Sequence, residues 1–149
     1  MKEPYWLTRE ECLALHDLML SHYGGIAGVR DENMLESALA RPQQLFAYGK
    51  PGMAELAAAY AAGIVRNHPF LDGNKRTGFM LGAGFLERNG HEFHATEADA
   101  ALRTLALAAG EMSEAASAEW VKANSKRVQT TTPPSSKNSG NSSRGSRRT

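Results

Sequence analysis

The sequence predicts an all-α bundle of about six helices, with a central buried helix and a disordered C-terminal tail. Three observations predict it. Alanine dominates residues 56–118 while Val and Ile are scarce, a balance that favours helix over strand. Apolar residues recur at helical spacing, as at Leu56, Tyr60 and Ile64 with Ala57 and Ala61 beside them. Capping residues and glycines then punctuate the chain at intervals of about a helix length.

Thr8-Arg9-Glu10-Glu11 reads as a capping box, in which the Thr8 hydroxyl and the Glu11 carboxylate satisfy each other's backbone N–H groups. The first helix should run to about Tyr23 and end at Gly24-Gly25, because glycine tolerates a left-handed C-cap. Asp31 is the N-cap of a second, shorter helix, Glu32 to Ala40, and Pro42 marks its end. Arg41 to Gly52, with Pro42, Gly49, Pro51 and Gly52, reads as a loop or small hairpin. A third helix from Met53 must stop near Asn67, since Pro69 disfavours the helical conformation at His68.

The fourth helix should span Asn74 to Asn89. Its apolar residues (Phe79, Met80, Leu81, Ala83, Phe85, Leu86) go nearly all the way round, as in a helix at the centre of a bundle. Gly78 and Gly82 share one face. Each costs ~1 kcal/mol against alanine, so a neighbouring helix is expected to pack very close there. Thr96 caps a fifth helix that Gly110 ends, and Ser113 caps a sixth that reaches Asn124 and docks through Trp120 and Val121. Cys12, Met19, Met34, Met53, Met80 and Met112 are expected core fillers. His91-Glu92-Phe93-His94, between helices, reads as a loop; without a third ligand at metal spacing it is no zinc site.

One domain is expected over residues 1–125, followed by a basic Ser/Arg-rich tail over 126–149. Residues 1–125 hold 11 Lys/Arg and 16 Asp/Glu, a net −5, whereas the tail holds six basic residues and no acid. An acidic body argues against a specific nucleic-acid partner, and the tail composition is that of a solvated disordered segment. A lone cysteine excludes an intrachain disulfide and fits a reducing compartment. No apolar run approaches the ~18 residues that span a bilayer, and no signal-peptide h-region follows Met1. These features lead us to expect a cytoplasmic protein with no membrane partner.

The chemistry is concentrated in His68-Pro69-Phe70-Leu71-Asp72-Gly73-Asn74-Lys75-Arg76. A glycine-containing turn stands directly before the central helix. The first N–H groups of a helix lack intrahelical partners and lie at its positive dipole end, which suits phosphate. Lys75 and Arg76 add two cations in the same turn, an arrangement unfavourable for the helix unless an anion neutralises it. Asp72 is a hard oxygen ligand of the kind Mg²⁺ takes beside phosphates. His68 is the nearby side chain whose ordinary pKa, ~6.5, suits a general base. Phe70 is the expected buried anchor of the loop. Base, carboxylate, anion cradle and cations together form the apparatus of phosphoryl or nucleotidyl transfer to a hydroxyl.

These nine residues resemble the signature of the Fic/Doc family, H-P-F-x-D-G-N-G-R-x-x-R. Leu15-His16-Asp17, Tyr23-Gly24-Gly25, Glu36-Ser37-Ala38, Phe85 to Gly90 and Ala108 to Glu111 further resemble its death-on-curing (Doc) toxin branch. The resemblance covers roughly residues 5–124. It implies that His68 is the general base, that Asp72 holds Mg²⁺ or helps orient the nucleophile, and that Gly73, Asn74, Lys75 and Arg76 bind the phosphates of ATP. Lys75 stands where AMP-transferring members have a second glycine, and Phe79 where they have a second arginine. The Doc branch shares this lysine, which implies a kinase that transfers the γ-phosphate to a threonine of elongation factor Tu and arrests translation. AMP transfer to a protein hydroxyl is the alternative; a non-catalytic binding module acting with an antitoxin is a third reading. The resemblance also implies that Arg41 to Pro51 forms the flap that aligns a target segment by strand addition. No Ser or Thr begins the inhibitory pattern [ST]-x-x-x-E-[GN] of self-inhibited members. The implied regulator is instead a separate prevent-host-death-type antitoxin whose disordered segment folds on the toxin.

Overall fold

The computed structural model describes residues 2–128. Six helices follow one another: α1 (Arg9–Tyr23), α2 (Glu32–Tyr48), α3 (Met53–Asn67), α4 (Asn74–Arg88), α5 (Glu97–Ala108) and α6 (Glu114–Ala123). Two short strands, β1 (His91–Phe93) and β2 (Ser125–Arg127), complete the described chain. The all-α architecture is as expected.

The predicted caps form. Thr8 and Glu11 close a reciprocal capping box, and Asp31, Thr96 and Ser113 accept from the backbone N–H groups of Met34, Asp99 and Ala116. The core gathers Leu7, Cys12, Leu35, Leu56, Tyr60, Ile64, Phe70, Leu81 and Phe85. Helix α3 shares the centre with α4 and packs against α2, α4, α5 and α6. The close approach inferred at Gly78 and Gly82 is present. A Cβ on Gly82 would lie 2.8 Å from the carbonyl oxygen of Ala57, and one on Gly78 would lie 3.0 Å from that of Ala61.

Three expectations are corrected. Helix α2 does not end at Ala40 but runs through Pro42 to Tyr48. A mid-helix proline costs about 3 kcal/mol, yet Leu35, Ala38, Leu39, Pro42, Leu45 and Phe46 keep helical spacing on one side. The first four are buried, and the last two pack against the core; Trp6 meets Phe46 edge-on at 5.6 Å. Burial of this stripe outweighs the lost hydrogen bond and leaves only Gly49–Gly52 as the connection. Second, His91–Phe93 is not a loop but pairs antiparallel with Ser125–Arg127, Glu92 opposite Lys126. Two residues assigned by composition to the tail, Lys126 and Arg127, therefore belong to the fold; residues 129–149 lie outside the described ones. Third, Met19 is buried as expected but Met34 is exposed. No described helix is long and apolar enough to cross a membrane.

Candidate active site

Helix α3 ends at Asn67 because Pro69 disfavours the helical conformation at His68, the residue before it. His68 caps it in the left-handed conformation, φ 55° and ψ 51°, its N–H donating to Ile64 O at 3.1 Å. It is the one non-glycine with positive φ among the described residues. The chain then turns through His68–Gly73 into α4. Phe70 is fully buried, as predicted.

Asn74, the first residue of α4, is buried and braces the loop. Its Oδ1 accepts from Phe70 N–H at 3.0 Å, and its Nδ2 donates to Phe70 O at 2.9 Å. These two bonds fix the amide orientation, so Nδ2 also faces His68 Nδ1, 3.2 Å away. Nδ1 accepts in that contact, which places the proton of the neutral ring on Nε2. The Asn74 side chain thus braces the loop, while its backbone opens α4.

The N-cap of α4 is Gly73, left-handed at φ 76°, with no side chain capping the first turn. The leading N–H groups of a 15-residue helix are therefore free of side-chain partners at its positive end. Lys75 and Arg76 stand exposed in that turn. Arg76 lies over the Tyr23 ring, with Cζ 4.2 Å from the centroid. Asp72 Oδ1 accepts from Gly73 N–H at 2.9 Å and Oδ2 from Ile26 N–H at 3.2 Å. Each oxygen keeps a further lone pair, so the exposed carboxylate can still meet a cation. No cluster of three metal-capable side chains exists among the described residues. An ion here would have Asp72 as its one carboxylate and would take its other ligands from phosphate oxygens and water, which is the way Mg²⁺ is commonly held. The residues present thus fit a nucleotide phosphate with Mg²⁺.

Sequence reading gave no role to His16 or Tyr23. His16 is buried on α1 beside Cys12 and Met19. Its ring stacks on Phe70 with centroids 3.8 Å apart and planes 9° apart, and its Nε2–H donates to Asp72 O at 2.8 Å. The spacing of residues 12, 16 and 19 puts a histidine on an apolar face, the one local signal available.

The segment between α1 and α2 lies directly on the loop. Val29 bridges Phe70 in antiparallel fashion, Leu71 N–H donates to Gly28 O at 3.0 Å, and the Arg30 and Asp31 N–H groups donate to Pro69 O at 2.6 and 3.1 Å. Gly25 passes so close that a Cβ there would sit 2.9 Å from Asp72 Oδ2. The expected flap at Arg41 to Pro51 is corrected accordingly. Most of that stretch is helix α2, and the non-helical backbone beside His68 and Asp72 is residues 24–31.

His68 and the uncapped start of α4 thus stand side by side at one surface of a helical bundle. The Fic/DOC family model matches residues 6–86, which contain the whole site, and this chain belongs to that family. Among curated proteins it is similar to "Protein kinase doc" of Escherichia phage P1, 35% identical over 117 residues that cover 78% of this chain and 92% of that protein. It is also similar to "Toxin Doc" of Mycolicibacterium smegmatis, 39% identical over 88 residues, 57% of this chain and 65% of that protein.

Proposed function

We propose that this chain is a Doc-like toxin that transfers the γ-phosphate of ATP to a threonine hydroxyl of elongation factor Tu and so arrests growth. The observation that carries the reading is Lys75. It stands exposed beside the uncapped first turn of α4, where the AMP-transferring pattern needs a glycine, and Phe79 replaces the second arginine of that pattern. Similarity to a relative whose name is protein kinase doc, over nearly its full length, supports the same choice.

In this reading the first N–H groups of α4 hold phosphate oxygens, and Lys75 and Arg76 neutralise their charge. Such fixed donors act without reorganising during the reaction. Mg²⁺, held by Asp72, would supply further charge neutralisation across the phosphates. The target hydroxyl oxygen forms a bond to the γ-phosphorus, the bond from phosphorus to the bridging oxygen of ADP breaks, and the hydroxyl proton passes to His68. Accepting it at Nε2 requires the ring proton to sit on Nδ1, so in this reading the contact with the Asn74 amide opens when substrate binds. The target segment aligns by strand addition along residues 24–29. The regulator is a separate antitoxin of the prevent-host-death type, and the compartment is the cytoplasm.

Incubation with elongation factor Tu and γ-labelled ATP should label the factor on threonine, and His68→Ala should lower the rate by about 10²–10⁴-fold, the usual worth of a general base. Label that arrives only from α-labelled ATP would replace phosphate transfer with AMP transfer. Toxicity of His68→Ala equal to wild type would instead favour a non-catalytic binding module.

A further inference from the structure

Arg30 makes contacts that neither the sequence signature nor the reaction chemistry accounts for. Its Nε–H donates to His68 O at 2.7 Å and its Nη2–H to Asn67 O at 3.0 Å. Its own backbone N–H donates to Pro69 O at 2.6 Å. One residue thus engages three successive carbonyls, and the middle one belongs to His68. The first two are carbonyls at the C-terminal end of α3, left without intrahelical partners. That end is also the negative pole of the helix, where a guanidinium is favoured.

The same His68 is held left-handed at φ 55°, a conformation that is strained for a non-glycine residue. Such strain persists only where the surroundings over-determine it. Three groups do so at His68. Ile64 O accepts its N–H, Asn74 faces its ring, and Arg30 takes its carbonyl. The first two tie His68 to α3 and to α4. Arg30 adds the segment from which, in the reading above, the target would be presented.

We propose that Arg30 is a positioning residue: by clamping the carbonyls of Asn67, His68 and Pro69 it holds His68 in its left-handed conformation and registers the residue 24–31 segment against it. The proposal rests on the kinase reading for its functional consequence but not for its geometry, and the test separates the two. Arg30→Met keeps the stem and removes the side-chain donors. In isotope-labelled protein, the backbone shifts and HN–Hα coupling of His68 should lose their left-handed signature, while helix content stays that of wild type. In the phosphate-transfer assay kcat should fall on the order of 100-fold, the scale of a small misplacement of a reacting group, with KM for ATP within twofold. Arg30→Lys, with its charge but a single nitrogen, should recover part of the rate. An unchanged His68 signature in a folded Arg30→Met protein overturns the proposal, as does a fall confined to KM. If Arg30→Met fails to fold, Arg30→Lys decides: wild-type shifts and wild-type kcat there would exclude a clamp on two carbonyls. Absence of transfer by the wild-type protein would count against the kinase reading alone, because the spectroscopic arm reads the geometry without it.

Discussion

His68, the proposed general base, shows how such a position is built from backbone as much as from chemistry. Its ring faces Asn74 and its backbone is left-handed, so a replacement changes two things at once. His68→Ala removes the imidazole and keeps the strain, whereas His68→Gly removes both. Thermal unfolding should therefore place His68→Gly above His68→Ala by about 1 kcal/mol. An alanine variant as stable as the glycine variant would show that the left-handed conformation is not kept in solution. Gly73 makes a related case. A Cβ there would meet only ordinary contacts with Leu20 and His16, 3.6–3.7 Å away, so the constraint at this position is its φ of 76° and not space. The sequence displayed these residues plainly, because His68 to Arg76 are contiguous. It was silent on His16 and Arg30, which reach the same loop from 56 and 38 residues away.

The elements carry the close packing that brings the two halves of the site together. Along α4, Gly82 faces Ala57 O of α3, while a Cβ on Gly84 would meet nothing within 4 Å. Two substitutions that look alike in sequence should have opposite effects. Gly82→Ala must push α3 and α4 apart and should destabilise by about 1–3 kcal/mol, the usual range for overpacking. Gly84→Ala should stabilise by up to about 1 kcal/mol through helix propensity. Chemical denaturation of both variants checks the pair, and equal signs would contradict the packing. The sequence predicted a close neighbour at Gly78 and Gly82 from two costly glycines on one face. It could not predict that α2 would continue past Pro42, because the local penalty is legible and the compensating burial of Leu45 and Phe46 is not. The pairing of β1 with β2 was hidden for a similar reason. Three residues at each end form a ladder only when the bundle brings positions 91 and 127 together.

At the scale of the whole molecule, two buried acids set a response to alkali. Burial pushes the Cys12 thiol up from 9.0 to about 12 and the Tyr60 hydroxyl from 10.0 to about 12. Between the ordinary and raised values the unfolded chain releases protons that the folded chain keeps. Stability is then complete below about pH 9 and falls as the pH rises toward 12. The urea midpoint should drop between pH 8 and pH 11, and a constant midpoint would contradict the burial of both groups. A second outcome concerns the end of the fold. Truncation after Ser125 removes Lys126, Arg127 and the bond from Val128 N–H to Gly90 O at 2.8 Å. It should melt lower than truncation after Val128; equal melting temperatures would make the strand pair dispensable.

The sequence by itself determined the helix count, four of the six N-caps (Thr8, Asp31, Thr96 and Ser113) and the nine-residue loop, because these depend on residues three to nine positions apart, and local hydrogen bonding and periodicity record such relations directly. Tertiary structure alone decided the length of α2, the strand pair and the identity of the segment lying on His68 and Asp72. Those depend on burial and on backbone pairing between distant residues. The energy that decides them comes from neighbours that exist only once the chain has folded.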